Sequence, residues 1–264
     1  MPAQPSSQLH LPQPVAETTR SLMDRFDSAL PGKLIAFYLV GSIALGDYQP
    51  GQSDIDFIGV LSGDDDTDAI AAVHTGLAAD YPATDCDGIY LQFKDLLQPP
   101  RGLGLAIRAG ILDQQSPDER HPVTWLTLAE HGIALRGPVP NASWIAADRA
   151  AAVQYSRNNL ASYWQPWVEI RRSTTATSVL LSDDELIWGA LGVARVHATM
   201  ATQSPISKTS AAKHALKAFP QHSKLVNEAL RLRTARPAIS AYVSPQDRRN
   251  DLIDFMVTVI ASAA

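Results

Sequence analysis

A single cysteine, Cys86, stands in a chain of 264 residues. That one absence excludes an internal disulfide framework and a cysteine-rich zinc site. No apolar run nears the ~20 residues that a membrane-spanning helix needs. The opening segment, MPAQPSSQLHLPQP, lacks both the basic start and the apolar core of a signal peptide. The expectation is therefore a soluble, cytoplasmic protein with no membrane partner and a Pro/Gln/Ser-rich, poorly ordered head over residues 1–14. There is no run of lysine and arginine, and the net charge is −5, which argues against general nucleic-acid binding. The seven histidines show no metal-ligand spacing. Internal repeats and coiled-coil heptads are also missing.

What is present is a core-building chain with an uneven charge distribution. Hydrophobic residues make up 45% and charged residues 19%, enough apolar material for a core and too little charge for wholesale disorder. Residues 1–140 carry 8 Lys+Arg against 18 Asp+Glu, a balance of −10, while residues 141–264 carry 14 against 9, a balance of +5. An acidic half facing a basic half suits a cleft that holds cations on one wall and anions on the other. Two solvated surfaces of opposite sign are the plainer alternative.

The pattern along the chain separates the same two halves. Residues 15–30 read as a helix opened by Pro14, with Leu22, Met23, Phe26 and Leu30 on one side. Strands are expected at 33–40, 54–61 and 88–93, with a helix at about 67–79 between the last two. Residues 99–121 form a Pro/Gly-flecked connection with little periodicity. A helix follows, with Pro122 at its start and Gly132 past its end, and then a short strand, IALRG. The Pro-rich PVPN at 138–141 is the best boundary. Beyond it the periodicity is helical, at about 144–168, 183–202, 208–217, 221–233 and 245–262. The fold expected is an α/β domain over 15–141, a mixed sheet with helices, followed by an all-α helical bundle over 142–264.

The stretch YLVGSIALGDYQPGQSDIDFIGV, residues 38–60, carries the chemistry. Residues i and i+2 of a strand face the same side, so Asp54 and Asp56 point together at a strand's start. Burying two like charges without a partner is costly. A divalent cation answers that cost, since Mg²⁺ prefers a few carboxylates completed by phosphate oxygens and water. The Gly41-Ser42 turn ends the preceding strand and opens a short helix. Its backbone N–H groups and the Ser42 hydroxyl form a cradle for phosphate. A third acidic pair, Asp85 and Asp87, opens the next strand. Asp64, Asp65 and Asp66 instead solvate a loop and favour the positive end of the helix they precede.

GSIALGDYQPGQSDID resembles the signature of the polymerase-beta-like nucleotidyltransferase superfamily. HPVTWLTLAEHGIALRGP and LGVARVHATMATQSPISKTSAAKHAL look like the aminoglycoside adenylyltransferase family that modifies streptomycin and spectinomycin. The resemblance runs from about residue 33 to the end of the chain. It implies transfer of AMP from ATP, with two magnesium ions, to a hydroxyl of a small, cationic, aminoglycoside-like acceptor; a monomer is expected. Asp54 and Asp56 match the family's metal pair. Asp87 matches its third carboxylate, usually a glutamate, which serves as general base or as a further metal ligand; Asp85 is the alternative for that place. Gly41, Ser42, Ser53, Arg195 and Lys208 match the nucleotide-binding positions. Glu185 and Trp188 match positions that face the acceptor.

The residues themselves support part of this. Ser207 is a good N-cap, which puts Lys208 in the first turn of a helix, where a cation opposes the dipole unless an anion arrives. Arg195 is mid-helix and reads equally as a surface ion-pair residue. Ser182 with Glu185 fits a capping box. The five tryptophans fall in helix-like stretches and read mostly as core, with Trp188 kept as the exception. Aromatics are absent between Phe93 and Trp125, where the family's antibiotic enzymes have one. The alternative is a non-catalytic or protein-directed module on the same fold, of the antitoxin kind, with the altered acceptor loop as its interface.

Overall fold

The computed structural model describes residues 11–63, 66–173, 181–235 and 237–263. The α/β half runs α1 (Gln13–Ala29), β1 (Leu34–Leu39), a single turn α2 (Gly41–Ala44), β2 (Ile55–Leu61), α3 (Thr67–Asp80), β3 (Cys86–Gln92), a single turn α4 (Phe93–Leu96), β4 (Gly104–Arg108), β5 (Ile111–Ser116), α5 (Pro122–His131) and β6 (Ile133–Arg136). The helical half runs α6 (Arg149–Asn159), α7 (Gln165–Ser173), α8 (Asp183–Thr202), α9 (Lys208–Ala218), α10 (Ser223–Arg233) and α11 (Pro245–Ser262). The expected architecture, a mixed sheet with helices followed by a helical region, is the one observed.

The six strands are ordered β5-β4-β3-β2-β1-β6. Only β2 and β3 are parallel, and α3 makes the crossover that parallel neighbours require. The two faces of the sheet are buried differently. Phe37, Phe57 and Tyr90 pack against Phe26 of α1 and Ile70 and Leu77 of α3. Tyr38, Ile58, Val60, Ile89 and Leu91 pack against Trp125 and Leu128 of α5. Alternation then fixes the acidic residues: Asp56 shares the parity of Ile58, and Asp87 that of Ile89, so both lie on the α5 face. His74 is a packing residue, buried among aromatic rings with its Nε2 2.8 Å from the Tyr90 hydroxyl, and burial lowers it to about 3.

Four local readings change. The residues 99–121 contain the hairpin β4–β5, whose turn residues Ala109 and Gly110 both have positive φ, 48° and 74°. A two-residue turn of that hand normally carries Asn or Gly first, and alanine hides it. The expected helix at 144–168 starts at Arg149, where the Asp148 side chain accepts from the N–H groups of Ala150 and Ala151. It widens into a π-helical stretch at Leu160–Trp164 before continuing as α7. Pro166 is the cause: it offers no N–H, and its ring crowds the carbonyl four residues back. At the other end, α1 begins at Gln13, inside the head expected over 1–14; residues 1–10 of that head lie outside the described residues, as do Asp64, Asp65 and most of the loop before α8.

In the helical half α8 is the central rod. Leu186, Ala190, Leu191, Val193 and Ala194 are buried among Trp164, Phe219, Leu225, Phe255 and Met256. No described helix is long and apolar enough to cross a membrane.

Candidate active site

Three adjacent strands bring a row of charged groups to one face of the sheet. Asp56 of β2 is in register with Asp87 of β3, and Gly88 pairs with Ile107, which sets Asp87 beside Arg108 of β4. On the other side of Asp56, the Val40 N–H donates to the Asp56 carbonyl at 3.0 Å and places Gly41 over the Asp56 side chain. Gly41 has φ +57°, and a Cβ there would sit 1.9 Å from Asp56 Oδ2. Both the backbone angle and the close approach demand glycine. Ser42 Oγ beside it is buried and has no hydrogen-bond partner among the described residues. The Gly41–Ala44 helix is a single four-residue turn, so what it offers an anion is local N–H groups rather than an extended dipole.

Asp87 is only 8% exposed. Its Oδ1 accepts from the Ala109 N–H at 2.9 Å, and Arg108 Nη1 reaches Oδ2 at 3.4 Å. Arg108 also pairs with Asp118 at 3.2 Å and Glu119 at 3.6 Å. Glu119, at φ 56°, accepts from the Thr124 hydroxyl at 2.8 Å and lies 3.6 Å from His121, whose ring stacks on Tyr155.

The carboxylates strain against one another. Burial, together with Glu119, Asp54 and Asp87, pushes Asp56 up to about 7, with Arg195 opposing. Asp54 is raised by burial and by Asp87 and Asp85, with Lys208 and Arg108 opposing. Asp87 is raised by burial, partly offset by the Ala109 N–H and Arg108. On the facing wall, burial and the neighbouring Arg195 and Arg233 lower Lys208 to about 8. One wall has too much negative charge and the other too much positive, and both strains are relieved by the same arrival: cations on the sheet side, an anion on the helix side.

Lys208 occupies the first turn of α9, with Ser207 as N-cap accepting from the Ser210 N–H at 3.1 Å. Arg195, on α8, has no ion-pair partner among the described residues. Ser53 Oγ accepts from the Gln49 N–H at 3.1 Å and from Arg233 at 3.2 Å. Glu185 completes the capping box: its Oε2 takes the Ser182 N–H at 3.0 Å, and its Oε1 takes Arg171 at 2.6 Å. Trp188 is 41% exposed, with Lys208 Nζ 5.5 Å from its ring centre and Tyr163 and Trp164 packed beside it. Trp125 and Trp164 are core residues, as expected.

The donor set fits a divalent cation that a nucleotide completes. Among the described residues no three carboxylate, imidazole or thiol groups converge as a ready metal cage. Asp54, one residue ahead of β2, is near enough to raise Asp56, Asp87 is turned toward Arg108, and Ser42 Oγ has no hydrogen-bond partner among the described residues. Mg²⁺ needs only one or two carboxylates when phosphate oxygens and water supply the rest.

Sequence reasoning missed Arg108, Glu119, Asp47 and Arg233. Arg108 and Glu119 stand in the stretch read as irregular. Asp47 and Arg233 meet across 186 positions, and nothing local announces them.

Residues 20–95, within the α/β half, match the family model for the nucleotidyltransferase domain. Over almost the whole chain the fold is similar to that of spectinomycin adenyltransferase AAD(9) from Enterococcus faecialis, whose crystal structure was solved with ATP and spectinomycin. The TM-score is 0.63 at 14% sequence identity, covering 92% of this chain and 99% of that one. No curated protein matches the chain significantly.

Proposed function

We propose that this protein is a Mg²⁺-dependent nucleotidyltransferase that transfers AMP from ATP to a hydroxyl of a small, cationic, aminoglycoside-like acceptor. The observation that carries the reading is the register row: Asp56 beside Asp87, under a glycine whose missing side chain leaves room for the Asp56 carboxylate, facing Lys208 and Arg195. The fold similarity to an enzyme solved with ATP and spectinomycin supports the same class of reaction.

Asp54 and Asp56 would hold magnesium, with Asp87 able to share it. When bound, the metal would neutralise the triphosphate and stabilise charge on the attacking and leaving oxygens. The Gly41-Ser42 turn and Ser53 receive phosphate oxygens from one side. Lys208 and Arg195 receive them from the other, and their charge favours the departing pyrophosphate. Asp87 Oδ1 is held by the Ala109 N–H, which leaves Oδ2, with its long 3.4 Å contact to Arg108, to take the proton of the acceptor hydroxyl. The acceptor oxygen bonds to the α-phosphorus as the bond to the β-phosphate oxygen breaks. Trp188 and Glu185 border the acceptor's side of the cleft; because both Glu185 oxygens already have partners, the exposed face of Trp188 is the freer surface.

The test is a mass-spectrometric transfer assay with ATP, Mg²⁺ and a panel containing streptomycin, spectinomycin and other aminoglycosides. An added AMP on one of these compounds is the expected result. No transfer to any of them, combined with no ATP binding by calorimetry, overturns the reading.

A further inference from the structure

The loop between the Gly41-Ser42 turn and the D-x-D strand is pinned to the helical half by a buried network that the proposed chemistry leaves unused. Its centre is Asp47, 7% exposed, and Arg233, 2% exposed. Arg233 Nη2 donates to the Asp47 carbonyl at 3.1 Å and to Ser53 Oγ at 3.2 Å, and lies 3.4 Å from Asp47 Oδ2. The Thr209 N–H donates to the same Asp47 Oδ2 at 3.1 Å. The Asp47 N–H donates to the Ser42 carbonyl at 2.8 Å. Each tie ends on or beside a nucleotide element: Ser42 in the cradle, Ser53 next to Asp54, and Thr209 next to Lys208. Arg233 sits at the last position of α10, where the helix dipole favours a cation.

We propose that Asp47 and Arg233 are positioning residues that set Lys208 against the Gly-Ser cradle and the D-x-D carboxylates. This rests on the reading of the site as a nucleotide site. A buried ion pair is a weak source of stability compared with apolar side chains of similar size. A pair that merely joined the two halves could therefore be apolar. This one uses one guanidinium nitrogen, Arg233 Nη2, to touch both ends of one loop, at Asp47 and Ser53, and a carboxylate to reach a third segment. A lysine ammonium sits on a differently shaped stem and is more strongly hydrated, so it does not fall at the Nη2 position without shifting the loop.

The experiment measures Mg²⁺-ATP affinity by calorimetry on the full chain, with melting temperature recorded for each variant. The set is wild type, Asp47→Asn, Arg233→Lys, Lys208→Gln and the double variant Asp47→Asn with Lys208→Gln. Glu228→Gln is the comparator, since Glu228 forms a buried ion pair on the same helix as Arg233 but has no tie to the nucleotide elements. The expected result is a loss of ATP affinity of about 10- to 100-fold in Asp47→Asn and in Arg233→Lys, the cost of small misplacements in such sites. The double variant should bind within about threefold of Lys208→Gln alone, because the two residues act through one contact. Glu228→Gln should lower the melting temperature and leave ATP affinity unchanged. Additive losses in the double variant, or wild-type affinity in both Asp47→Asn and Arg233→Lys, overturn the positioning role. Wild type that fails to bind ATP overturns the nucleotide reading itself. Arg233→Lys, which keeps the charge, serves if Asp47→Asn does not fold.

Discussion

The two halves of the molecule build their walls of the cleft by different means. On the sheet, backbone hydrogen bonds decide where the carboxylates stand: the β2–β3 register puts Asp56 beside Asp87, and Asp54 directly precedes β2, next to Ile55, whose N–H donates to the Asp85 carbonyl. On the helical side, packing decides. Lys208 is delivered by the start of α9 and Arg195 by the middle of α8, and their separation from the carboxylates depends on how those helices dock. The sheet wall is thus fixed to within the tolerance of a β-ladder, while the helical wall needs the Asp47–Arg233 network to hold it in place. The charges differ in the same way. The sheet carboxylates repel one another, with Arg108 partly answering Asp87, whereas Arg195 has no ion-pair partner among the described residues.

The sharpest way to break the sheet wall is Asp54→Asn. Asp54 lies one residue ahead of β2 and asparagine is nearly isosteric with it, so the substitution leaves packing alone and removes only charge. Transfer should fall about a thousandfold, the rate equivalent of several kcal/mol of lost metal-borne stabilisation. The melting temperature should stay within a degree or two. Residual turnover above a few percent would mean that Asp54 is not a metal ligand.

Gly41→Ala tests whether the cradle is as tightly fitted as the geometry states. The new methyl meets Asp56 Oδ2 at 1.9 Å, and the φ of +57° costs a further ~1–2 kcal/mol for an L-residue. Asp56 must move, and transfer should drop about a hundredfold with weaker ATP binding. The stability loss should shrink when Asp56 is also replaced by alanine, while activity stays lost. A fully active Gly41→Ala would show that Asp56 can swing away without consequence.

How much of this was legible in the sequence follows from the same contrast. Asp54 and Asp56 could be paired because strand periodicity is local, whereas Asp87 joins them only through the family resemblance, and the capping box at Ser182 and the N-cap at Ser207 could be read because helix starts are local too. Arg108 could not, because Ala109-Gly110 does not look like a hairpin turn, and the strand that carries Arg108 was therefore read as irregular connection. The π-helical stretch before Pro166 was missed because a proline in a helical pattern predicts disturbance without specifying its form. Asp47 and Arg233 lie beyond any local rule: Asp47 reads as a turn residue and Arg233 as a solvated helix end.

The helical wall can be probed by pH as well as by substitution. Lys208 titrates at about 8 in the ligand-free protein, below its ordinary 10.5, because it is buried beside Arg195 and Arg233. Below pH 8 it is already charged, and this group adds no pH dependence to ATP binding. Above pH 8 binding must first restore its proton, so affinity should fall by up to about tenfold per pH unit. The sign for folding is the reverse. Between pH 8 and 10.5 only the unfolded chain holds this proton, so the lysine's contribution to stability rises with pH across that window. Lys208→Gln should flatten the affinity profile above pH 8. A wild-type profile equally steep in the Lys208→Gln variant would place the titrating group elsewhere.

The smallest effect expected separates the acceptor side from the nucleotide side. Trp188 is 41% exposed and Tyr163 beside it 43%, so the pair, its rings set edge to face at 84°, offers an exposed aromatic surface while Trp164 supports it from the core. Truncating Trp188 to alanine removes that surface at little cost to packing. It also removes a cation–π contact with Lys208 Nζ at 5.5 Å, an interaction of about 0.5–1 kcal/mol at such exposure. The acceptor KM should rise about five- to tenfold, and the ATP affinity should change by no more than about threefold. Because Lys208 touches both partners of the comparison, the ratio of the two effects is informative. An equal loss for ATP and acceptor would mean that Trp188 acts by holding Lys208, and that the acceptor lies against the sheet wall instead.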